Sequence, residues 1–169
     1  MIKHLVKFQP LSGGKTRKRL LKIPQKYVPK SLSRKDLSTQ KNNIMKTRKA
    51  YHKKEYLNRP QLKSYKSKQS PHITTAKKLY GVSKIVPSKE LAKATKCSIK
   101  GLKLITKKGR GAYYSSGSRP NQTAQSWARA RLASALTGGK AALVDYNILK
   151  SECKPSSKAL LLIREPTVP

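Results

Sequence analysis

The uneven distribution of positive charge is the feature that most restricts what this chain can fold into. Its 169 residues carry 40 Lys and Arg against 6 Asp and Glu, a formal net charge of +34. Residues 1–110 hold 32 of these cations with three carboxylates, whereas residues 111–169 hold eight with three. Self-repulsion of this size opposes a compact state that lacks an anionic partner. We therefore expect the chain to bind nucleic acid, a phospholipid surface or acidic protein faces.

Groups that could perform catalysis are scarce. The chain has six carboxylates, three His and two Cys, and no set of them has the spacing of a catalytic or metal site. Cys97 and Cys153 lie far apart without CxxC spacing, which predicts neither zinc nor a disulfide and favours a reducing, intracellular setting. We predict a protein that is not an enzyme and that has no cofactor, no metal and no small-molecule substrate.

Hydropathy gives no indication of a membrane-spanning segment. No run approaches the roughly 18 apolar residues that cross a bilayer. The first residues are interrupted by Lys3, His4 and Lys7, so they do not resemble a signal peptide. The sequence therefore predicts that the protein is not transmembrane.

Residues 1–75 are predicted to form a long extended basic arm. Prolines interrupt this segment, and it cannot bury enough apolar surface to offset its own ordering entropy. One stretch within it, residues 42–57, has a pattern that a helix could adopt. Aromatic residues recur along the segment, and we interpret them as anchors that dock on a partner surface. These anchors are Phe8, Tyr27, Tyr51, Tyr56 and Tyr65.

Residues 76–150 are predicted to form a small helical domain, so the fold class is mainly α. Ser88 is the expected cap of a first helix, and Ser98 begins a second that ends at Gly109. A third helix is expected from residue 122 or 123 to Leu136, with Asn121 or Thr123 as its cap, and a fourth over residues 140–149. The predicted core consists of Leu91, Leu102, Ile105, Trp127, Leu132 and Leu143. Residues 151–169 are predicted to be a tail whose apolar residues 160–163 dock or add a strand.

Residues 91–105 are similar to a helix-turn-helix motif. Lys100, Lys103 and Lys107 would line the outer face of its second helix, as phosphate contacts do. Lys96 stands where the motif prefers Gly, and the second helix lacks Asn, Gln or Arg to read base edges. Duplex binding and a basic helical hairpin that serves as a scaffold are both open interpretations.

Residues 107–123 are rich in Gly, Ser, Tyr and Arg and precede a helix. This chemistry suits phosphate or carboxylate binding, and it also suits a tight connection that an Arg pins in place. In the following helix, Arg131 is positioned to pair with Asp145 in the interior. The residues predicted to contact an anionic partner are Lys15, Arg17, Lys18, Arg19, Lys46, Arg48, Lys49, Lys53, Lys54, Lys100, Lys103, Lys107, Lys108, Arg110 and Arg119.

Three segments resemble an uncharacterised family of small basic proteins from large DNA viruses of algae and protists, chlorovirus-like, and from some phages. They are GRGAYYSSGSRP at residues 109–120, WARARLA at 127–133, and residues 138–145. The resemblance covers about residues 88–149 and brings no established catalytic residues. It implies a viral origin and a component of the virion.

The leading interpretation is a structural virion protein, a minor capsid component that cross-links capsomers under the shell of an icosahedral DNA virus. Its expected partners are major and other minor capsid proteins, with viral DNA or inner-membrane phospholipid against the basic arm. Its expected location is the inner side of the capsid, after assembly in the host cytoplasm. The alternative is a nucleic-acid-binding protein, genome-condensing or ribosomal, that acts by phosphate neutralisation. A nuclease that uses the Tyr/Arg loop is a third and weaker alternative.

Overall fold

The computed structural model describes residues 23–163, and in this part of the chain the fold is mainly α, as predicted. A short 3-10 helix, Gln25–Tyr27, precedes eight α-helices. The α-helices are α1 (Arg34–His52), α2 (Pro71–Tyr80), α3 (Lys89–Thr95), α4 (Ile99–Ser116), α5 (Ala124–Leu136), α6 (Lys140–Val144), α7 (Tyr146–Glu152) and α8 (Lys158–Leu161).

The pair formed by α4 and α5 is the centre of the molecule. Leu102 and Ile105 of α4 and Leu132 and Leu136 of α5 are all buried in one core. Helix α1 packs on α4, while α2, α6 and α8 pack on α5. The hydroxyl of Tyr80 in α2 donates a 2.7 Å hydrogen bond to the carbonyl of Leu136, which ties α2 to the end of α5. The central pair therefore sets the position of every surface described below.

Gly109 allows α4 and α5 to approach closely. A Cβ at this position would lie 2.7 Å from the Cα of Ala128, so the backbone of α5 blocks it. We expect Gly109→Ala to lower the free energy of unfolding by roughly 1–3 kcal/mol, because the helices must separate to admit the methyl group. Urea denaturation measures this loss.

Gly111→Ala is the matched control in the same helix. The nearest atom to a Cβ there is the hydroxyl of Tyr51 at 3.3 Å, the mobile end of a side chain. Alanine also suits a helix better than glycine by roughly 0.5–1 kcal/mol. Gly111→Ala is thus expected to leave stability unchanged or to raise it. Equal losses for the two variants would contradict a specific close contact at Gly109.

The extended arm predicted over residues 1–75 is wrong for residues 23–75, which belong to the folded domain. The buried side chain of Gln40 donates to the carbonyls of Tyr27 and Ser118 at 3.0 and 3.2 Å. Arg59 donates to the carbonyl of Tyr113 at 3.1 Å and lies over its ring. These long-range contacts supply the ordering energy that a local pattern does not reveal. Residues 1–22 lie outside the described residues.

The sequence predicts the N-termini of three helices correctly but places some of the other helix boundaries wrongly. Ser88, Ser98 and Thr123 cap α3, α4 and α5, as predicted. Helix α4, however, continues past the predicted stop at Gly109 to Ser116. The stretch expected to be helical at residues 42–57 is α1, which begins eight residues earlier and ends five earlier.

The C-terminal part of the domain also differs from the prediction. The single helix predicted over residues 140–149 is divided into α6 and α7 at Asp145. The apolar residues 160–163 add no strand, since α8 occupies part of this stretch and buries Ala159 beside α5 and α7. Short helices here leave some apolar side chains without cover.

Four residues of the predicted core, Leu91, Leu102, Ile105 and Leu132, are buried. Leu143 is 55% exposed, because α6 has only five residues and buries Ala142 instead. Trp127 is half-buried outside the main core, with Tyr27 edge-on to it at 5.6 Å between ring centroids. Tyr27, predicted as an anchor for a partner, is therefore an anchor within this domain.

Cys97 and Cys153 form a disulfide, which corrects the prediction of two unbonded cysteines. The chain folds so that the α3–α4 turn lies antiparallel to the end of α7, a pairing that sequence spacing does not reveal. The reducing setting inferred from the cysteines loses its basis with this bond. Across residues 23–163, no helix is long and apolar enough to cross a membrane, and no three His, Cys, Asp or Glu side chains cluster as metal ligands.

Candidate nucleic-acid interface

Four cations form a stripe along the outer face of α4. Lys100, Lys103, Lys107 and Arg110 recur every three or four residues, so they share one side of a helix with 3.6 residues per turn. All four are exposed, while Leu102 and Ile105 on the opposite side are buried. The stripe extends about 15 Å along the helix axis. We call these four residues the α4 stripe.

The turn that leads into the stripe has helix-turn-helix character. Lys96 ends α3 in the left-handed region with φ 57°, where its N–H reaches the carbonyls of Ala92 and Lys93. Ser98 then accepts a 2.9 Å hydrogen bond from the Gly101 N–H and begins α4. The sequence similarity therefore corresponds to two successive helices joined by a short turn. In this turn a lysine has the left-handed conformation that glycine adopts most easily.

Glu152 partly neutralises the first residue of the stripe. Its carboxylate lies 3.6 Å from the Lys100 ammonium and also accepts a hydrogen bond from the Ser98 hydroxyl. The Ser98 hydrogen bond, with a smaller contribution from Lys100, lowers the pKa of Glu152. In the described part of the chain, Lys103, Lys107 and Arg110 make no ion pair, so these three are the members of the stripe best placed for an external anion.

A group of three tyrosines, one exposed and two half-buried, lies at the C-terminal end of the stripe. Tyr114 follows Arg110 by four residues on the same face of α4. Tyr51 of α1 stacks on Tyr114, with 6.1 Å between ring centroids and 11° between planes. Tyr56 meets Tyr114 edge-on at 5.1 Å and Tyr51 at 6.0 Å, and it is 62% exposed. We call Tyr51, Tyr56 and Tyr114 the tyrosine cluster.

A tight reversal after α1 brings Tyr56 into this cluster. Lys54 has φ 63°, and its N–H bonds to the carbonyl of Tyr51 at 3.0 Å. The N–H of Glu55 returns to the carbonyl of Ala50, also at 3.0 Å, which turns the chain back along α1. Lys53 and Lys54 are exposed in this reversal, so two further cations accompany the exposed ring.

Beside the stripe, α1, α4, α5 and α7 line an open cleft of about 450 Å³. Its wall includes Arg131, which donates two 2.8 Å hydrogen bonds to the buried carboxylate of Asp145, the pair expected from the sequence. The Lys108 ammonium lies 2.7 Å from the same carboxylate. Lys108, predicted as a contact for an anionic partner, is thus engaged within the domain.

A second basic cleft of about 580 Å³ lies elsewhere on the surface. It is lined by Lys26, Pro29, Ser31, Ser64, Tyr65, Lys66, Lys68 and Arg119, and therefore by four cations and no carboxylate. Asp36 lies next to it, because its carboxylate accepts hydrogen bonds from Ser64, which also lower its pKa. The nearby negative charge makes this cleft a weaker candidate than the α4 stripe.

The predicted contact residues fall into three groups. Arg48 is buried and donates a 2.7 Å hydrogen bond to the carbonyl of Ser116, so its predicted external role is wrong. Four predicted cations and Phe8 lie outside the described residues: Lys15, Arg17, Lys18 and Arg19. The remaining predicted cations besides Lys108 are exposed: Lys46, Lys49, Lys53, Lys54, Lys100, Lys103, Lys107, Arg110 and Arg119.

The predicted phosphate loop at residues 107–123 is largely helix. Residues 107–116 continue α4, and only residues 117–123 form a connection. Arg59 donates to the hydroxyl of Ser118 at 3.0 Å, and the Asn121 side chain hydrogen-bonds the backbone of Leu62. The arrangement matches the alternative of an Arg-pinned connection, although the arginine comes from a distant segment.

Sequence reasoning missed the tyrosine cluster. Tyr51 and Tyr56 were interpreted as separate anchors, and Tyr114 as part of a loop. The available signal was the spacing on α4, because residues 100, 103, 107, 110 and 114 share one face once the helix continues past Gly109.

Comparison with known proteins yields one match. A family model described as "Family of unknown function (DUF5824)" matches residues 24–151, which is more than half of the chain. No curated protein and no solved structure matches. The surface of the domain is therefore the basis for any functional conclusion.

Proposed function

Since the chain belongs to the DUF5824 family, which is of unknown function, we propose its function from its own surface: it is a non-enzymatic protein that binds nucleic acid through the α4 stripe. The carrying observation is the exposed row Lys103, Lys107 and Arg110, which has no internal ion pair among the described residues. Cations at this spacing on the exposed face of a helix can contact successive phosphates and release condensed counterions.

The charge balance of the folded domain supports an external polyanion. Residues 23–163 contain 32 Lys and Arg against five Asp and Glu. Three of those carboxylates are already engaged: Asp145 with Arg131 and Lys108, Glu152 with Lys100, and Asp36 with Ser64. Internal neutralisation is therefore small, and a polyanionic partner relieves the self-repulsion of the domain.

A matched pair of triple variants tests the localisation of this interface. Changing Lys103, Lys107 and Arg110 to Gln is expected to reduce the slope of log K against log salt by about two to three, because each neutralised phosphate accounts for about 0.7–0.9 of that slope. Changing Lys77, Lys78 and Lys140 to Gln removes the same charge from other exposed positions. This control is expected to change the slope by less than about one. Fluorescence anisotropy over a salt titration measures both.

The control is necessary because a chain of net charge +34 adheres to any polyanion. Only a localised interface responds differently to two variants of identical net charge. Equal slopes for the stripe variant and the control variant would show that binding is diffuse and would overturn the proposal.

A second candidate function is a minor capsid component of a large DNA virus, cross-linking shell proteins on the inner side of the virion. Exposed apolar side chains favour a protein partner: Val144 is 64% and Leu161 is 71% exposed. This role is compatible with genome contact through the α4 stripe. A shell component is expected in a fixed number per particle and is retained in shells emptied of DNA. Its loss together with the DNA would contradict the role and favour simple genome condensation.

A further inference from the structure

We propose that the tyrosine cluster stacks unpaired nucleobases, so that the nucleic acid bound along the α4 stripe is single-stranded. This inference rests on the proposed function, since it specifies which form of nucleic acid the same surface takes. The juxtaposition that carries it is a row of cations on α4 that ends, one helical turn later, at the half-buried ring of Tyr114, against which the exposed ring of Tyr56 lies.

The exposure of Tyr56 is the first supporting observation. It is the most exposed Tyr or Trp side chain among the described residues, at 62%. Tyr51 already joins α1 to α4 through its stacking contact with Tyr114. Tyr56 lies beyond the end of α1 and adds an aromatic surface that this packing does not require.

The second observation is the alignment of charge with the rings. Arg110 and Tyr114 are four residues apart on one face, about 6 Å along the helix axis. Lys53 and Lys54 are exposed three and two residues before Tyr56, and the single carboxylate of Glu55 between them and Tyr56 leaves this reversal with a net positive charge. Cations therefore precede the cluster along two elements, α4 and the reversal after α1. A strand with its phosphates on these cations brings its bases to the rings, the arrangement of single-strand binding surfaces.

Base chemistry favours a single strand over a duplex. Bases in a duplex stack on one another and offer only their edges in the grooves. A tyrosine ring uses the flat face of a base, which is accessible only when the base is unstacked. The four cations of the stripe suit contacts to phosphates, which a single strand and a duplex both offer, so the stripe alone does not select between them. The tyrosine cluster thus offers a stacking contact that the paired bases of a duplex cannot use.

The test compares oligonucleotides of equal length on the full chain. The probes are single-stranded DNA and RNA, a duplex, and a single strand with abasic sites, which keeps the phosphates but has no bases to stack. Tyr56→Ala is expected to weaken binding to base-bearing single strands about fivefold to a hundredfold. Its affinity for the duplex and the abasic strand is expected to remain unchanged. Tyr56→Phe and Tyr56→Trp are expected to retain binding.

Tyr146→Ala is the matched control, since Tyr146 is an exposed tyrosine on α7 that makes no ring contact with the cluster. It is expected to bind all probes as the wild type does. Thermal melting verifies that Tyr56→Ala folds. The DNA and RNA probes distinguish the two sources of unpaired bases.

These experiments distinguish failure of the stacking inference from failure of the proposed nucleic-acid interface. If the wild type binds the abasic strand or the duplex as tightly as the base-bearing strand, or if Tyr56→Ala weakens all probes equally, the stacking inference is wrong. In that case the stripe variant described above still loses affinity for every probe. If the stripe variant and its charge-matched control behave alike, the nucleic-acid interface itself is wrong.

Discussion

Reduction of the Cys97–Cys153 disulfide is expected to lower the free energy of unfolding by about 4 kcal/mol. The bond closes a loop with a sequence separation of 56 residues, and chain-entropy arguments assign about this value to such a loop. The bond joins the start of α4 to the end of α7, next to backbone hydrogen bonds from Ser98 to Glu152 and from Lys154 to Lys96. Urea unfolding with and without a phosphine reductant measures the loss as a shift of the midpoint.

The double variant Cys97→Ser, Cys153→Ser is the control for this prediction. It is expected to show the same loss without reductant and no further change when reductant is added. The flanking hydrogen bonds belong to the backbone, so helix content in the reduced protein is expected to persist at low urea. A reduced protein as stable as the oxidised one would contradict any contribution of the bond to stability.

Asp145→Ala is expected to lower the free energy of unfolding by about 3–5 kcal/mol. Asp145 is 1% exposed and is bonded by Arg131 and Lys108, so its removal leaves a guanidinium in the interior without its counterion. For a chain of this size the loss corresponds to a melting temperature lower by roughly 2–4 °C per kcal/mol. Circular dichroism during heating measures it.

Two further variants show whether the loss comes from the unpaired guanidinium. Glu55→Gln removes an exposed carboxylate and is expected to change the melting temperature little. The double variant Arg131→Met, Asp145→Leu removes the buried carboxylate together with its half-buried arginine and is expected to recover part of the loss, while Lys108 turns to solvent. If Asp145→Ala behaves like Glu55→Gln, the contacts of Asp145 with Arg131 and Lys108 have no structural role.

Helix starts were predictable because an N-cap is a contact between residues close in sequence. Ser88, Ser98 and Thr123 each accept a hydrogen bond from a backbone N–H three residues later. Gly109 was misinterpreted as a stop because its role depends on Ala128, a contact between helices. Residues 23–75 were misinterpreted for the same reason, since Gln40 and Arg59 hydrogen-bond the segment near Ser118.

The charge of the proposed interface could be predicted from the sequence, but its shape could not. Composition alone indicated an anionic partner, and most lysines predicted as contacts are exposed. Arg48, however, is buried, and its guanidinium donates a hydrogen bond to the carbonyl of Ser116 at the end of α4. The tyrosine cluster joins Tyr56 to Tyr114 across a distance in sequence that no local pattern connects. Long-range packing therefore determines which cations are exposed and which aromatic rings lie beside them.

Two lysines have a left-handed backbone conformation, one just before the α4 stripe and one just before the tyrosine cluster, and this affects which substitutions the domain can accept. Lys96 and Lys54 hold backbone angles that cost a side-chain-bearing residue about 1–2 kcal/mol and cost glycine little. Substitution by glycine would thus relax the backbone while it deletes a cation beside the α4 stripe or the tyrosine cluster. Stability and surface charge oppose each other at these positions. Lys96→Gly or Lys54→Gly is therefore expected to stabilise this fold while it removes one cation beside the proposed interface.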